Sequence, residues 1–144
     1  MTYSTVMDTD LPMAAGRLLF RLQAEMFERI AAEGFGGVRP RHGAVLAYLT
    51  PEGRRLSEYA RLSGRHKQII GTIADELVQL GYVTREPDPS DGRARLLVPT
   101  DLGLRELAAA RAIIADIETR IAAQIGPDRL ADAKSAMLAA ADAI

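Results

Sequence analysis

The chain has 144 residues, 48% of them hydrophobic, with 18 Lys and Arg against 19 Asp and Glu and no cysteine. This length and hydrophobic content support one domain with its own core and exclude general disorder. The missing cysteines exclude a disulfide framework, a thiolate zinc site and a redox thiol. The opening MTYSTVMDTDLP lacks the basic and apolar regions of a signal peptide, and no run approaches the roughly 20 apolar residues that span a bilayer. The expected setting is therefore the cytoplasm, with no membrane partner.

In chain order, residues 1–8 are expected to fray. Thr9 or Asp10 can cap a helix whose first turn holds Pro12. Leu11, Leu18, Leu22 and Met26 recur at helical spacing, and Leu19, Phe20, Phe27 and Ile30 widen the stripe until Gly34 ends it. A stripe this wide implies burial on more than one side. Pro40 opens a second helix with core positions Val45, Leu46 and Leu49, stopped by Pro51. The PEGRR segment reads as a turn. A short third helix starts at Ser57, with Tyr59, Ala60 and Leu62 inward, and Ser63-Gly64 is the turn after it.

The fourth helix runs from about Arg65 or His66 to Leu80. Its inner stripe is Ile69 or Ile70, Ile73, Leu77 and Leu80. Its opposite face carries Lys67, Gln68, Gly71, Thr72 and Asp75. Residues 82–85 read as a strand, DPSDG as a loop tip and residues 95–98 as the returning strand, which Pro99 closes as an edge. Thr100 caps a fifth helix that carries Leu104, Leu107, Ile114, Ile117, Ile121 and Ile125. Gly126-Pro127 separates it from an alanine-rich sixth. The expected fold class is mainly α with a small β-hairpin wing.

Residues 56–100 therefore combine a helix-turn-helix with a hairpin. A helix about 10–12 Å across fits a major groove about 12 Å wide. In such a unit the second helix presents its N-terminal residues to the bases. Here those residues are Arg65, His66, Lys67, Gln68, Gly71 and Thr72. Gln can pair with adenine, and Arg or Lys with guanine. Gly71 either lets the backbone approach DNA or is a tolerated gap against a neighbouring helix. At the hairpin tip, Arg93 and Arg95 follow Asp91-Gly92. Arginine gains from the negative potential of a narrow minor groove, and Asp91 is close enough to orient Arg93. Taken alone, the tip could equally be a solvated hairpin. Whole-chain charge is uninformative, but from 53 to 68 five basic residues (Arg54, Arg55, Arg61, Arg65, Lys67) face a single acid, Glu58.

The sequence resembles the MarR family of winged-helix transcription regulators. The resemblance is carried by Leu56-Ser57-Glu58-Tyr59-Ala60, by the run from Asp75 to Val83, and by the stretch from Asp88 to Gly103. The family's wing signature is matched at Asp88, Asp91, Arg93, Thr100 and Gly103. Pro99 and Tyr59 stand where the family usually has Leu. The resemblance implies a homodimer that binds a palindromic site on double-stranded DNA and acts as a repressor. It implies a winged lobe over 38–100 and dimerisation helices over 9–34 and 101–144, all within one domain spanning 1–144. Arg93 would enter the minor groove braced by Asp91. Gln68, Gly71 and Thr72 would face bases, and Arg54, Arg65 and Lys67 would contact the backbone. The resemblance also implies release by a small aromatic or anionic effector. Phe20, Phe27, His42 and Tyr48 are candidates for that pocket, with plain core packing as the alternative.

No catalytic or cofactor motif occurs. His42 and His66 are 24 residues apart without partner ligands, so neither a metal site nor an enzyme is expected. The alternative function is a dimeric winged-helix module that binds proteins or small molecules without specific DNA recognition.

Overall fold

The computed structural model describes residues 3–144, with side chains from residue 5; the first two residues of the segment expected to fray lie outside it. The remaining residues of that segment form a short helix instead, α1 (Tyr3–Asp8). The longer α2 (Leu11–Ala32) begins where a carboxylate satisfies a free amide: Asp10 Oδ1 accepts from the Met13 N–H at 2.8 Å. A 3₁₀ turn (Pro40–His42) runs into α3 (Gly43–Leu46), so the second helix is shorter than its sequence suggests. The order then runs β1 (Arg54–Arg55), α4 (Leu56–Ser63), α5 (Lys67–Leu80), β2 (Val83–Asp88), β3 (Asp91–Pro99), α6 (Asp101–Ile125) and α7 (Pro127–Asp142).

The chain divides into two compact units, one ending at Ala110 and the other running from Arg111 to Ile144. The first unit holds the winged lobe. Its core is Val45, Leu46, Leu49, Tyr59, Ile70, Ile73, Ala74, Leu77, Tyr82, Val83 and Leu97. Of the two adjacent isoleucines in α5, Ile70 is the buried one and Ile69 faces outward. Leu80, expected inside, is exposed at the end of the helix. Within the second unit, Ile113 and Ile117 are buried, and no residue of α7 is.

The hairpin belongs to a three-stranded antiparallel sheet in the order β1-β3-β2. The PEGRR segment is therefore not only a turn: Arg54 pairs with Leu97, and Arg55 with Leu96. This places β3 in the centre, not at an edge. Pro99 is still tolerated, because β1 stops at Leu97 and only β2 flanks the last residues of β3. The hairpin strands also run further than their apolar pattern, so that Asp88 pairs with Asp91 across a tip of Pro89-Ser90.

Two local devices fix the angles of the lobe. Gly64 ends α4 in the left-handed region (φ 69°), which makes the turn between the two helices without a Cβ penalty. Thr100 joins sheet to helix: its Oγ1 donates to the Gly81 carbonyl at 2.6 Å and accepts from the Gly103 N–H at 3.1 Å. Gly103 is required here by contact, since a Cβ would lie 2.1 Å from the Tyr82 carbonyl oxygen.

Candidate nucleic-acid interface

The first turn of α5 builds its own support. His66 stands at the N-cap, and its Nδ1 accepts from the Gln68 N–H at 3.2 Å. The Ser63 hydroxyl accepts from the Arg65 N–H. Arg65, His66, Lys67, Gln68, Ile69 and Thr72 are all exposed, and His66, Gln68, Ile69 and Thr72 line one open concavity of about 490 Å³. Gly71 sits beside it, and a Cβ there would meet no atom within 4 Å. Packing within the chain therefore gives no reason for this glycine, which removes the gap-against-a-neighbour reading for the lone chain.

Asp75 also lies on the outer face of α5, where an unpaired carboxylate would repel phosphate. Arg85 of β2 pairs with it at 2.7 Å. Other charges around the lobe are cancelled in the same way. Arg54 donates through Nε to the Tyr48 carbonyl at 2.8 Å and lies 3.4 Å from Glu58. It is thus largely spent inside the lobe, although the sequence places it among the backbone contacts. Among the described residues, Arg65, Lys67, Arg93 and Arg95 have no ion-pair partner. The helix start and the wing thus each carry free cations, as do other parts of the described chain such as Arg61 of α4.

The wing is held at its base by a bond set that sequence reading missed. Asp88 is buried, and its Oδ2 accepts from Arg55 Nε at 2.7 Å and Nη2 at 2.6 Å. Its Oδ1 accepts from the Ser90 N–H at 2.9 Å and the Ser90 hydroxyl at 2.8 Å. The bonds from Ser90, then those from Arg55, pull the Asp88 carboxyl down to about 2. Its stabilising contribution is therefore complete above its ordinary value near 3.8 and is lost as pH falls through about 2. Asp91 Oδ1 accepts from the Arg93 backbone N–H at 3.1 Å. Asp91 thus braces the chain carrying Arg93, and the guanidinium stays free. Arg93 and Arg95 are both exposed on β3, at the irregular end of the hairpin where the register shifts between Pro87 and Asp88.

The departure at Tyr59 has a structural use. This buried phenol donates to the Leu97 carbonyl at 3.1 Å and ties α4 to the central strand, while burial pushes its pKa up to about 12. A leucine could not make that bond.

The four pocket candidates lie in unlike surroundings. Phe20, on α2, is 72% exposed. Phe27 and Tyr48 are half-buried. His42 is buried with both ring nitrogens engaged: Nδ1 accepts from the Arg39 N–H at 2.9 Å, which leaves Nε2–H to donate to Glu76 at 2.6 Å. Arg41 holds the same carboxylate at 2.8 Å, and the bonds from His42 and then Arg41 lower the Glu76 pKa. His42 therefore fastens the turn before α3 to the C-terminal half of α5.

Two helices joined at a left-handed glycine, followed by a hairpin completed by a third strand, define a winged-helix fold. Residues 37–94 match the sequence model of the MarR family. The chain is similar to the transcriptional repressor CouR bound to a 23-mer DNA duplex, with 28% identity, TM-score 0.74, and 99% of this chain and 98% of that one covered. It is also similar to CouR from Rhodococcus jostii RHA1 bound to p-coumaroyl-CoA, at 26% identity, TM-score 0.73 and coverage of 90% and 89%. The S. aureus MepR–DNA complex shares the fold at 14% identity, TM-score 0.74 and coverage of 100% and 99%. No curated protein matches the chain. Among the described residues, no helix is long and apolar enough to cross a membrane.

Proposed function

We propose that the protein is a MarR-type transcription regulator that binds a palindromic operator as a homodimer. It represses from the cytoplasm, without catalysis, and leaves the DNA when a small aromatic or anionic ligand binds. The observation that carries this reading is the distribution of free charge. Asp75, Glu58 and Asp88 are each paired with an arginine, while Arg65, Lys67, Arg93 and Arg95 keep their charges unpaired on the helix start and the wing. Those are the two elements that a winged helix lays into neighbouring grooves. CouR, described as a repressor and seen with DNA and with p-coumaroyl-CoA, supports both the DNA and the effector parts of the reading.

Dimerisation is supported by uncovered apolar surface. Leu18, Leu19 and Phe20 of α2 are exposed, as are Met137 and Leu138 of α7. Such surface is costly in an isolated protomer and is what a second copy would cover. Ligand release follows if the effector favours a lobe separation that does not match the DNA, since it acts only through differential affinity.

Arg93→Ala tests the wing. Loss of a groove contact of this kind costs about 1–3 kcal/mol, roughly 5-fold to 150-fold in operator affinity, and lowers the salt slope by about 1. Unchanged affinity and salt dependence would refute the wing assignment and favour a winged helix used to bind protein.

A further inference from the structure

We infer that Ile69 reads the 5-methyl group of a thymine in the major groove, next to an adenine held by Gln68. The inference rests on the DNA-binding reading above and names the base chemistry that this surface selects. It starts from the two adjacent isoleucines. Ile70 enters the core with Ile73, Ala74 and Leu77, whereas Ile69 is 48% exposed in the first turn of α5. A large aliphatic side chain thus stands outward directly after the exposed run that holds the free cations Arg65 and Lys67 and the adenine-competent amide of Gln68.

The neighbours of Ile69 narrow what it can meet. It shares an open concavity with His66, Gln68 and Thr72. The Thr72 hydroxyl donates to the Gln68 carbonyl at 3.3 Å, so its proton is committed within the helix. His66 spends Nδ1 on the helix cap. Asp75, the acid on this face that would accept from cytosine, is held by Arg85. Gly71 adds no side chain, so nothing at that position keeps a base edge away. Gln68 is then the paired donor and acceptor of the surface, beside aliphatic carbon from Ile69.

In the major groove, adenine offers the acceptor and donor that a carboxamide matches, and thymine alone presents a methyl group. The concavity is therefore complementary to an A·T pair beside a thymine. The basic flanks fit a polyanion and oppose the view that Ile69 serves an apolar protein partner.

The test replaces single thymines with deoxyuridine in the duplex that the protein enriches from a random pool. That change removes only the methyl and keeps base pairing. Affinities are measured for the wild type and for Ile69→Ala, whose fold is checked by its melting temperature. One thymine position per half-site should weaken wild-type binding by about 4-fold when replaced, the effect of one buried methyl. Ile69→Ala should bind more weakly and ignore that replacement. A wild type that binds its duplex tightly yet is indifferent to every replacement overturns the inference alone. So does an Ile69→Ala protein as sensitive as the wild type. Failure to enrich any duplex overturns the DNA-binding reading and the inference together.

Discussion

Glu106 provides a perturbation whose size follows from the structure. This carboxyl on α6 is 3% exposed, and its Oε2 has no hydrogen-bond partner among the described residues. Burial pushes its pKa up from 4.5 to about 7. The folded state therefore keeps a proton over a range where the unfolded chain has released it. The sign follows: the contribution to stability is fully present below about 4.5, falls as pH rises, and levels off above about 7. Each pH unit of that gap corresponds to about 1.4 kcal/mol, so full ionisation costs up to roughly 3 kcal/mol. Relaxation of the surrounding structure on ionisation reduces this to about 1–2 kcal/mol. Glu106→Gln keeps the shape and removes the charge. Denaturant midpoints compared from pH 4 to pH 8, at one fixed protomer concentration, should coincide at acid pH. The variant should become about 1–2 kcal/mol more stable than the wild type above pH 7. A difference that does not change with pH would refute the argument, because it would show a packing effect without a titration.

Two glycines give predictions of opposite sign. Gly103→Ala places a Cβ on the Tyr82 carbonyl and should destabilise the protein by roughly 2–3 kcal/mol, seen as a lower melting temperature. Gly71→Ala meets open space and should stabilise α5 by up to about 1 kcal/mol while weakening operator binding, measured by melting and by titration with DNA. A more stable Gly71→Ala protein with unchanged affinity would show that the DNA backbone does not come close at that point.

Features governed by neighbours in sequence were legible before the structure. A cap at Thr9 or Asp10 (the structure uses Asp10), Ser63-Gly64 as the helix-turn-helix turn, Thr100 as the cap of α6 and the break at Gly126-Pro127 each depend on chemistry within four residues. The features that were missed depend on distance or on ambiguous periodicity. The Arg55–Asp88 pair spans 33 residues and falls outside any local pattern. A strand of two residues, Arg54–Arg55, is too short to show an alternation, so the third strand was hidden and β3 looked like an edge. Adjacent isoleucines fit one helical stripe equally well, and only packing separates Ile70 from Ile69. His42 was noticed as an unusual residue, but its bonds to Arg39 and Glu76 could not be foreseen. Glu106 left no signal at all, since a carboxylate on a long helix ordinarily faces water.

The central claim is that two copies of this lobe read DNA sequence together. Selection of bound duplexes from a random pool, with the full-length protein at physiological salt, tests it most directly. The expected result is enrichment of an inverted repeat whose half-sites lie about one helical turn apart, roughly 34–36 Å centre to centre. Recovery of no common sequence, or of a single unpaired half-site bound by one protomer, would contradict it.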